Sequence, residues 1–518
     1  MFPQLLTGSL VVLCLLTSYA QANLEATIDA LFTQWDTPES PGCALGVFKD
    51  GEIIYQRGYG SANLDYQIPN TPNTVFRVGS VSKQFTAACI LLLVQQGKLS
   101  LDDRLRDFFP SFRAYADEVQ IRHLLYHTSG IRDYDQLVQY CPDCDFDSYF
   151  IEDVLTLLLD QLALNSPAGT EYIYSNSGYW LLGQIVEKVS TQSLADFAQE
   201  HLFAPLGMKQ TFFADDYTSI IPQRANGYDE DEGQFWWYNT TTSLVGDGGL
   251  YTSIADLKRW DDAFYDRSLL NDGFWKLALE TGQLKDGTPL TYAAGIEIQD
   301  YDGHQMHYHN GNEYGFCAVF QRLPEQQLTV VILSNYGSAY SITDIAEEII
   351  DLLLADVTAE PISGVPAISG HSIPDNWSIP SPEEQAQYCD YYWNPKRFLA
   401  RQVYQRNDSL FYGPNVNAGY FLEAIGPNFF TANNGLTFSF IPVQNGAITM
   451  RIFRYDVPIS DYHPYVPVTI SDVQGADFTG TYHGPEVRAD YEMRSTDNQL
   501  IWNSEGNHEA VLKPEMTD

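Results

Sequence analysis

Residues 76–85 read Phe76-Arg77-Val78-Gly79-Ser80-Val81-Ser82-Lys83-Gln84-Phe85 and lead into the apolar run TAACILLLVQ at 86–95. A run of that composition is the interior of a protein, and its length predicts a buried helix from about Ser80 to Gln96, closed by Gly97. Lys83 then stands in the first turn, where the helix dipole is already positive and a cation is disfavoured. Burial makes the position worse, because a desolvated ammonium is costly unless it is paired or gives up its proton. Lysine is scarce as well, at ten against eighteen arginines. A lysine in so poor a place asks for a chemical explanation. Ser80 and Lys83, three residues apart, share one helix face, so a neutral amine could accept the hydroxyl proton. Ser80 as an ordinary N-cap is the structural alternative.

The surrounding sequence gives that helix a sheet to pack on. CALGVFKDGEIIYQRGYG (43–60) shows two strand-like runs joined by Asp50-Gly51, a strong hairpin signal. A second hairpin is expected over 315–335, GFCAVFQRL followed by QLTVVILSN. Helical spacing marks 24–36, 150–163, 177–189, 193–203 and 341–355. Strands at both ends of this region with helices between them predict an α/β fold of the α+β kind. Its antiparallel sheet is completed by distant segments and lies beside a helical lobe.

From 357 to 382 the character changes. PISGVPAISGHSIPDNWSIPSP holds five prolines and no periodicity, as a linker does. Residues 383–518 are rich in Tyr, Phe and turn residues and predict an all-β module. Within it, Tyr392-x-x-Pro395 with Leu410 recurs 90 residues later as Tyr482-x-x-Pro485 with Leu500, which suggests a duplicated strand pattern. The expected organisation is a signal peptide (1–22), a catalytic domain (23–356), a linker (357–382) and a C-terminal β domain (383–518).

The first 22 residues carry no charged side chain, hold an apolar stretch from Leu5 to Leu16, and end in Ala20-Gln21-Ala22. That is a signal-peptide pattern, so the protein is expected to be exported, periplasmic or secreted. The apolar stretch is short of the ~20 residues a spanning helix needs, so no stable membrane insertion is expected once it is removed. A formal charge of -39 argues against nucleic acid as a partner. Cys141 and Cys144 form a CxxC in a polar loop, best explained by a local disulfide, while Cys43, Cys89 and Cys317 sit in apolar surroundings as core residues.

Further motifs supply what a serine nucleophile requires. Tyr174-Ser175-Asn176 places a phenol and a carboxamide two residues apart just before a helix, where the phenol can relay a proton and the amide can grip a carbonyl. His309-Asn310-Gly311 puts an imidazole and a flexible turn where the chain enters the sheet hairpin, and its glycine permits close backbone approach. Ser80-x-x-Lys83 is the S-x-x-K of serine penicillin-binding enzymes. Together FRVGSVSKQFTAA, LLYHTSGIRDY (124–134), PAGTEYIYSNSGYWLLG (167–183) and GDGGLYTSIADLKRW (246–260), in this order, resemble the class C β-lactamase and penicillin-binding-protein-like serine hydrolase family over residues 24–356.

The resemblance implies a β-lactamase/transpeptidase-like fold with its active site between sheet and helical lobe. It makes Ser80 the nucleophile, Lys83 and Tyr174 the proton-handling pair, and Asn176 a substrate contact. His309, Asn310 and Gly311 become the third motif, and the amides of Ser80 and Asn312 the oxyanion hole. Class C β-lactamases carry Lys-Thr-Gly at that third motif. A histidine there resembles the D-aminopeptidase-like and esterase-like branch, with weaker capture of a carboxylate. In D-aminopeptidase-like relatives a β-barrel follows the hydrolase domain, which implies a lipocalin-like barrel for the C-terminal module.

No cofactor is implied, and the expected substrate is a small amide, ester or peptide, D-amino-acid peptides included. The alternatives are a penicillin-binding sensor that stays acylated, a weak β-lactamase, and a scaffold whose C-terminal β domain binds ligand. His304, His307 and His309 could in principle meet a zinc ion, but the motif accounts for His309 without metal. His127 more naturally braces a turn than serves as a triad base. The aromatic loop Phe235-Trp236-Trp237-Tyr238 is a candidate wall of the cleft.

Overall fold

The computed structural model describes residues 24–138, 151–231, 233–339, 342–354 and 379–512. The last span has breaks at 395–398, 407–408, 416–417, 427, 433–435, 443–447, 455–456, 466–479, 485–488, 497–498 and 505–508. The proposed signal peptide, the Cys141/Cys144 loop and most of the proposed linker lie outside the described residues.

The first hairpin forms as its turn signal predicts. β1 (Cys43–Lys49) and β2 (Glu52–Tyr59) are joined by Asp50 and Gly51 at φ 53° and 80°, the double positive φ of a tight hairpin turn. Four later strands extend the sheet: β3 (Glu297–Tyr301), β4 (His304–Glu313), β5 (Phe316–Leu323) and β6 (Leu328–Ser334). The order is β3-β4-β5-β6-β1-β2, antiparallel throughout, with Cys43 opposite Ser334 and Lys49 opposite Leu328. The sheet is thus closed by segments nearly 300 residues apart.

Strands β1, β5 and β6 are apolar almost end to end because both faces are covered. Cys43, Leu45, Val47, Val330 and Ile332 pack with Ile28, Phe32 and Trp35 of the N-terminal segment and with Ile345, Ile349 and Ile350 of the helix Ile342–Leu354. The alternate residues Ala44, Phe48, Phe320, Val331 and Leu333 join the larger core of the helical lobe. A one-residue slip in register would exchange the two sets.

At the centre of that lobe lies α1 (Lys83–Gln95), buried on nearly every side, as an interior helix of this composition should be. Its start differs from expectation: Gly79–Ser82 forms a 3₁₀ turn, and the α-helix begins only at Lys83. Around it stand α2 (Asn176–Ser190), capped by the Ser175 side chain, and α3 (Ile254–Asp266), capped by that of Ser253. A buried ion pair fastens α3 to the sheet: Arg322 Nε lies 2.7 Å from Asp261 Oδ1, which also accepts from Thr329 Oγ1 at 2.8 Å. Cys43, Cys89 and Cys317 are buried.

The C-terminal module is all-β. Eight strands between Asp390 and Tyr465 form a closed up-and-down barrel in which the first strand pairs with the last, Tyr391 opposite Tyr465. Tyr392, Phe430, Phe438 and Phe440 are among its core residues. A separate antiparallel sheet of four strands follows, Gly480–Gly484, Ala489–Thr496, Gln499–Ser504 and Glu509–Leu512. Its first three strands begin 90 residues after barrel strands starting at Asp390, Leu399 and Ser409. The sequence repeat is therefore also a repeat of strand and turn positions.

Candidate active site

The turn that carries Ser80 is pressed against the end of β4. Gly79 has φ +49°, and a Cβ there would lie 2.8 Å from the Asn312 nitrogen. A Cβ on Gly311 would lie 2.0 Å from the Val78 carbonyl oxygen and 3.0 Å from the Ser80 nitrogen. Neither position has room for a side chain, and the close approach brings Ser80 and Asn312 together in the lining of a cavity of about 220 Å³. Ser80, Asn176 and Asn312 line this cavity together with Tyr134, Asp135, Tyr238, Asp247, Glu313 and Tyr314.

Lys83, fully buried, makes three hydrogen bonds through Nζ: to Ser80 Oγ at 2.9 Å, to Asn176 Oδ1 at 2.8 Å and to the Asp247 carbonyl oxygen at 2.8 Å. The poor location is thus offset by convergent acceptors from three separate segments. The Tyr174 ring lies 4.9 Å from Nζ, close enough for a cation–π contact. With the amine neutral, its lone pair could face the Ser80 hydroxyl.

Asn176 is held in turn by acids. Its side-chain amide donates to Asp135 Oδ2 at 2.7 Å, and its backbone amide donates to Asp133 Oδ2. Asp247 is buried in the cavity wall and accepts from the Tyr134 hydroxyl at 2.6 Å. Burial drives its carboxyl up to about 6. Asp135, although exposed, rises to about 8, from partial desolvation at the cavity wall first and then from the charges of Asp247 and Asp133. Asp133 and Asp247 lie within LLYHTSGIRDY and GDGGLYTSIADLKRW, and Asp135 directly follows the first of these. Sequence separation hides their meeting: Asp135 comes from the short helix Tyr134–Val138 and Asp247 from the turn before the strand Leu250–Thr252.

The third motif is placed differently from expectation. His309, Asn310 and Gly311 form no turn; they belong to the strand β4, with His309 opposite Phe320 and Gly311 opposite Ala318. Strand alternation sends their side chains to different places. His309 is buried behind the cavity, its Nε2 3.0 Å from the Tyr292 hydroxyl and its Nδ1 2.6 Å from the Asn310 carbonyl oxygen. Its ring centroid is 6.4 Å from that of Tyr174. Asn310 points toward the helix Ile342–Leu354, where its amide donates to Thr343 Oγ1 at 3.3 Å. Neither side chain lines the cavity, and of this segment Asn312, Glu313 and Tyr314 do.

His307 faces Phe264 and the Arg322 charge, with Nε2 2.9 Å from Gln305 Oε1. Among the described residues no group of His, Cys, Asp and Glu side chains is arranged to hold a metal ion. Phe235, Trp236 and Trp237 form no loop but a strand, Gln234–Trp237, paired with Tyr228–Asp231; Tyr238 after it lines the cavity, whereas Trp236 and Trp237 are exposed.

An S-x-x-K serine between a six-stranded antiparallel sheet and a helical lobe defines the β-lactamase/transpeptidase type of fold. The chain belongs to the Beta-lactamase family, whose model matches residues 28–352. It is 29% identical over 329 residues to a D-aminopeptidase of Gluconobacter oxydans, covering 61% of this chain and 59% of that one. It is 30% identical over 305 residues to penicillin-binding protein 4* of Bacillus subtilis, covering 55% and 66%. The match therefore spans less than two thirds of the length of either relative. In structure it resembles the octameric penicillin-binding protein homologue from Pyrococcus abyssi, with a TM-score of 0.57 and 21% identity over 95% of this chain and 99% of that one. At that identity the likeness speaks for the fold.

Proposed function

We propose that this protein is an exported serine hydrolase that acylates Ser80 with small amides or esters, D-amino-acid peptides among them, and releases the acyl group to water. The observation that carries the proposal is the 2.9 Å contact between Lys83 Nζ and Ser80 Oγ at the wall of a cavity lined by Ser80 and Asn312, whose backbone amides are the proposed oxyanion hole. In this scheme neutral Lys83 takes the hydroxyl proton as Ser80 Oγ attacks the carbonyl carbon. The two amides stabilise the tetrahedral oxyanion. A proton passes through Lys83 and Tyr174 to the leaving nitrogen or oxygen, and water then repeats the sequence on the acyl-enzyme.

The charge of the cavity favours one branch of the family. Asp135, Asp247 and Glu313 line it, and no lysine or arginine is among its described lining residues. Near neutral pH Asp135 holds its proton and Glu313 is paired with Arg77 at 2.6 Å, which leaves Asp247 as the unpaired acid of a wall rich in acceptors, a setting that suits a substrate with a free amino group better than one with a carboxylate. The likeness to a D-aminopeptidase points the same way. Export rests on the pattern of residues 1–22. Among the described residues no helix is long and apolar enough to cross a membrane.

The test is to incubate the protein with a chromogenic ester, a D-alanyl anilide and a cephalosporin, following product and adduct mass, with Ser80→Ala as control. Hydrolysis of the ester and anilide that vanishes in Ser80→Ala is expected. Turnover surviving that substitution would remove the proposal, and a stable adduct without turnover would favour an acylated sensor. N-terminal sequencing of protein recovered outside the cytoplasm should begin after Ala22.

A further inference from the structure

His127 grips the chain on both sides of Tyr174. It follows the short helix Ile121–Leu125 with left-handed backbone, φ +55°, and is 1% exposed. Its carbonyl oxygen accepts the Ile173 amide at 2.8 Å, and its Nδ1 accepts the Ser175 amide at 3.0 Å. Between those two bonds the ring lies against Tyr174, with centroids 4.2 Å apart and planes tilted by 32°. Tyr292 at 4.5 Å and Tyr179 at 5.1 Å surround the same ring. Ser175 caps α2 and Asn176 begins it, so one residue sets both the phenol and the carboxamide against Lys83.

We propose that His127 is a positioning residue for Tyr174, acting through its Nδ1 as a fixed hydrogen-bond acceptor that holds the Tyr174-Ser175-Asn176 segment against Lys83. The proposal rests on Tyr174 being part of the proton-handling pair. Because Nδ1 accepts an amide hydrogen, the neutral ring carries its proton on Nε2. That atom has no hydrogen-bond partner, and leaving it so in the interior carries a desolvation cost. A purely space-filling role would be met better by an apolar ring, so the acceptor is what the site uses. Burial, followed by the charges of Lys83 and His309, pushes the imidazole pKa well below its ordinary value. The acceptor therefore stays available through the neutral range.

Two substitutions separate ring from acceptor. His127→Asn can place its Oδ1 where Nδ1 was and tolerates left-handed backbone, while His127→Phe keeps the ring and loses the acceptor. Each is made alone and with Tyr174→Phe; kcat and KM are measured on a chromogenic ester, and Ser80 acylation by a fluorophosphonate is followed by intact mass. His127→Phe is expected to lower kcat and the acylation rate by about 10-fold or more with KM within about 3-fold, and His127→Asn to stay within about 3-fold of the parent. In the Tyr174→Phe background His127→Phe should cost clearly less than it does alone, because the share of its effect that runs through the phenol is already lost.

Losses that multiply in the double variant overturn the proposal. So does a His127→Asn enzyme as impaired as His127→Phe, and the Asn arm remains decisive if the Phe variant fails to fold. A Tyr174→Phe enzyme with parental kcat removes the role of Tyr174, and this proposal with it. Dependence on Tyr174 that is independent of His127 removes this proposal alone.

Discussion

Lys83 Nζ donates to the Asp247 carbonyl oxygen at 2.8 Å, a bond between residues 164 positions apart that anchors the amine next to Ser80. A carbonyl acceptor adds no full charge, so it orients the lysine without locking it into a salt bridge. With Asn176 Oδ1 as a further acceptor, Nζ is held within reach of Ser80 Oγ by the start of α2 and a distant turn that meet only in the folded chain.

Lys83→Met should therefore lower Ser80 acylation by about 10²–10⁴-fold, the usual worth of a positioned general base. Lys83→Arg should not rescue it, since a planar guanidinium cannot converge on acceptors arranged around a single nitrogen. Rates of adduct formation followed by mass spectrometry give the comparison. Parental acylation in either variant would assign the base elsewhere.

The acids behind Asn176 predict a pH-dependent stability. Folded Asp135 has its pKa raised from 3.8 to about 8 by partial desolvation at the cavity wall and by its acidic neighbours, so across that range the folded state holds a proton that the unfolded chain releases. Its contribution is fully present below pH 3.8 and is lost as pH rises through 8. Asp135→Asn keeps an oxygen to accept from Asn176 and removes the charge. Thermal melts should show the variant matching the parent near pH 4 and exceeding it at pH 8. A variant less stable than the parent at pH 8 would refute this assignment of the proton.

Close approach of β4 to the nucleophile turn makes Gly311 sensitive to a single methyl group. A Cβ 2.0 Å from the Val78 carbonyl must displace backbone on one side or the other. Gly311→Ala should lose acylation of Ser80 by about 10²-fold or more if the protein folds, because about 1 Å of misplacement is enough to do so. Circular dichroism with fluorophosphonate labelling separates misfolding from a displaced serine. Parental labelling would show that the strand and the turn can part without consequence.

Farther from the chemistry, Asp261→Ala would strand the Arg322 guanidinium in the core and leave Thr329 without its acceptor. Breaking a buried pair of this kind costs about 3–5 kcal/mol. Denaturant unfolding of the single variant should show that loss, and the double variant Asp261→Leu with Arg322→Met should recover much of it. Equal losses in both would mean that the hydrogen bonds outweigh the cost of stranding a charge.

Local pattern made much of this protein legible. Asp50-Gly51 between alternating strands could only turn tightly, and the apolar run after Phe85 could only be interior. A lysine three residues from a serine at the head of that run had few structural excuses. Such signals survive in sequence because their causes act over a few residues: backbone conformation, dipole and period.

What escaped was set by contacts between distant segments. His309-Asn310-Gly311 contains a glycine and looked like a turn, but pairing with β5 makes it strand, and strand alternation sends His309 behind the cavity and Asn310 to the opposite side. Asp135 and Asp247 carry no local mark of importance; desolvation at the cavity wall raises both pKa values, with the charges of Asp247 and Asp133 adding to the shift of Asp135. By itself the sequence determined that Ser80 and Lys83 stand together at the head of the buried helix, because only two residues separate them. Only the tertiary structure decided which acceptors hold the lysine and which charges face the substrate, because those groups come from loops brought together by the packing of the sheet against the helical lobe.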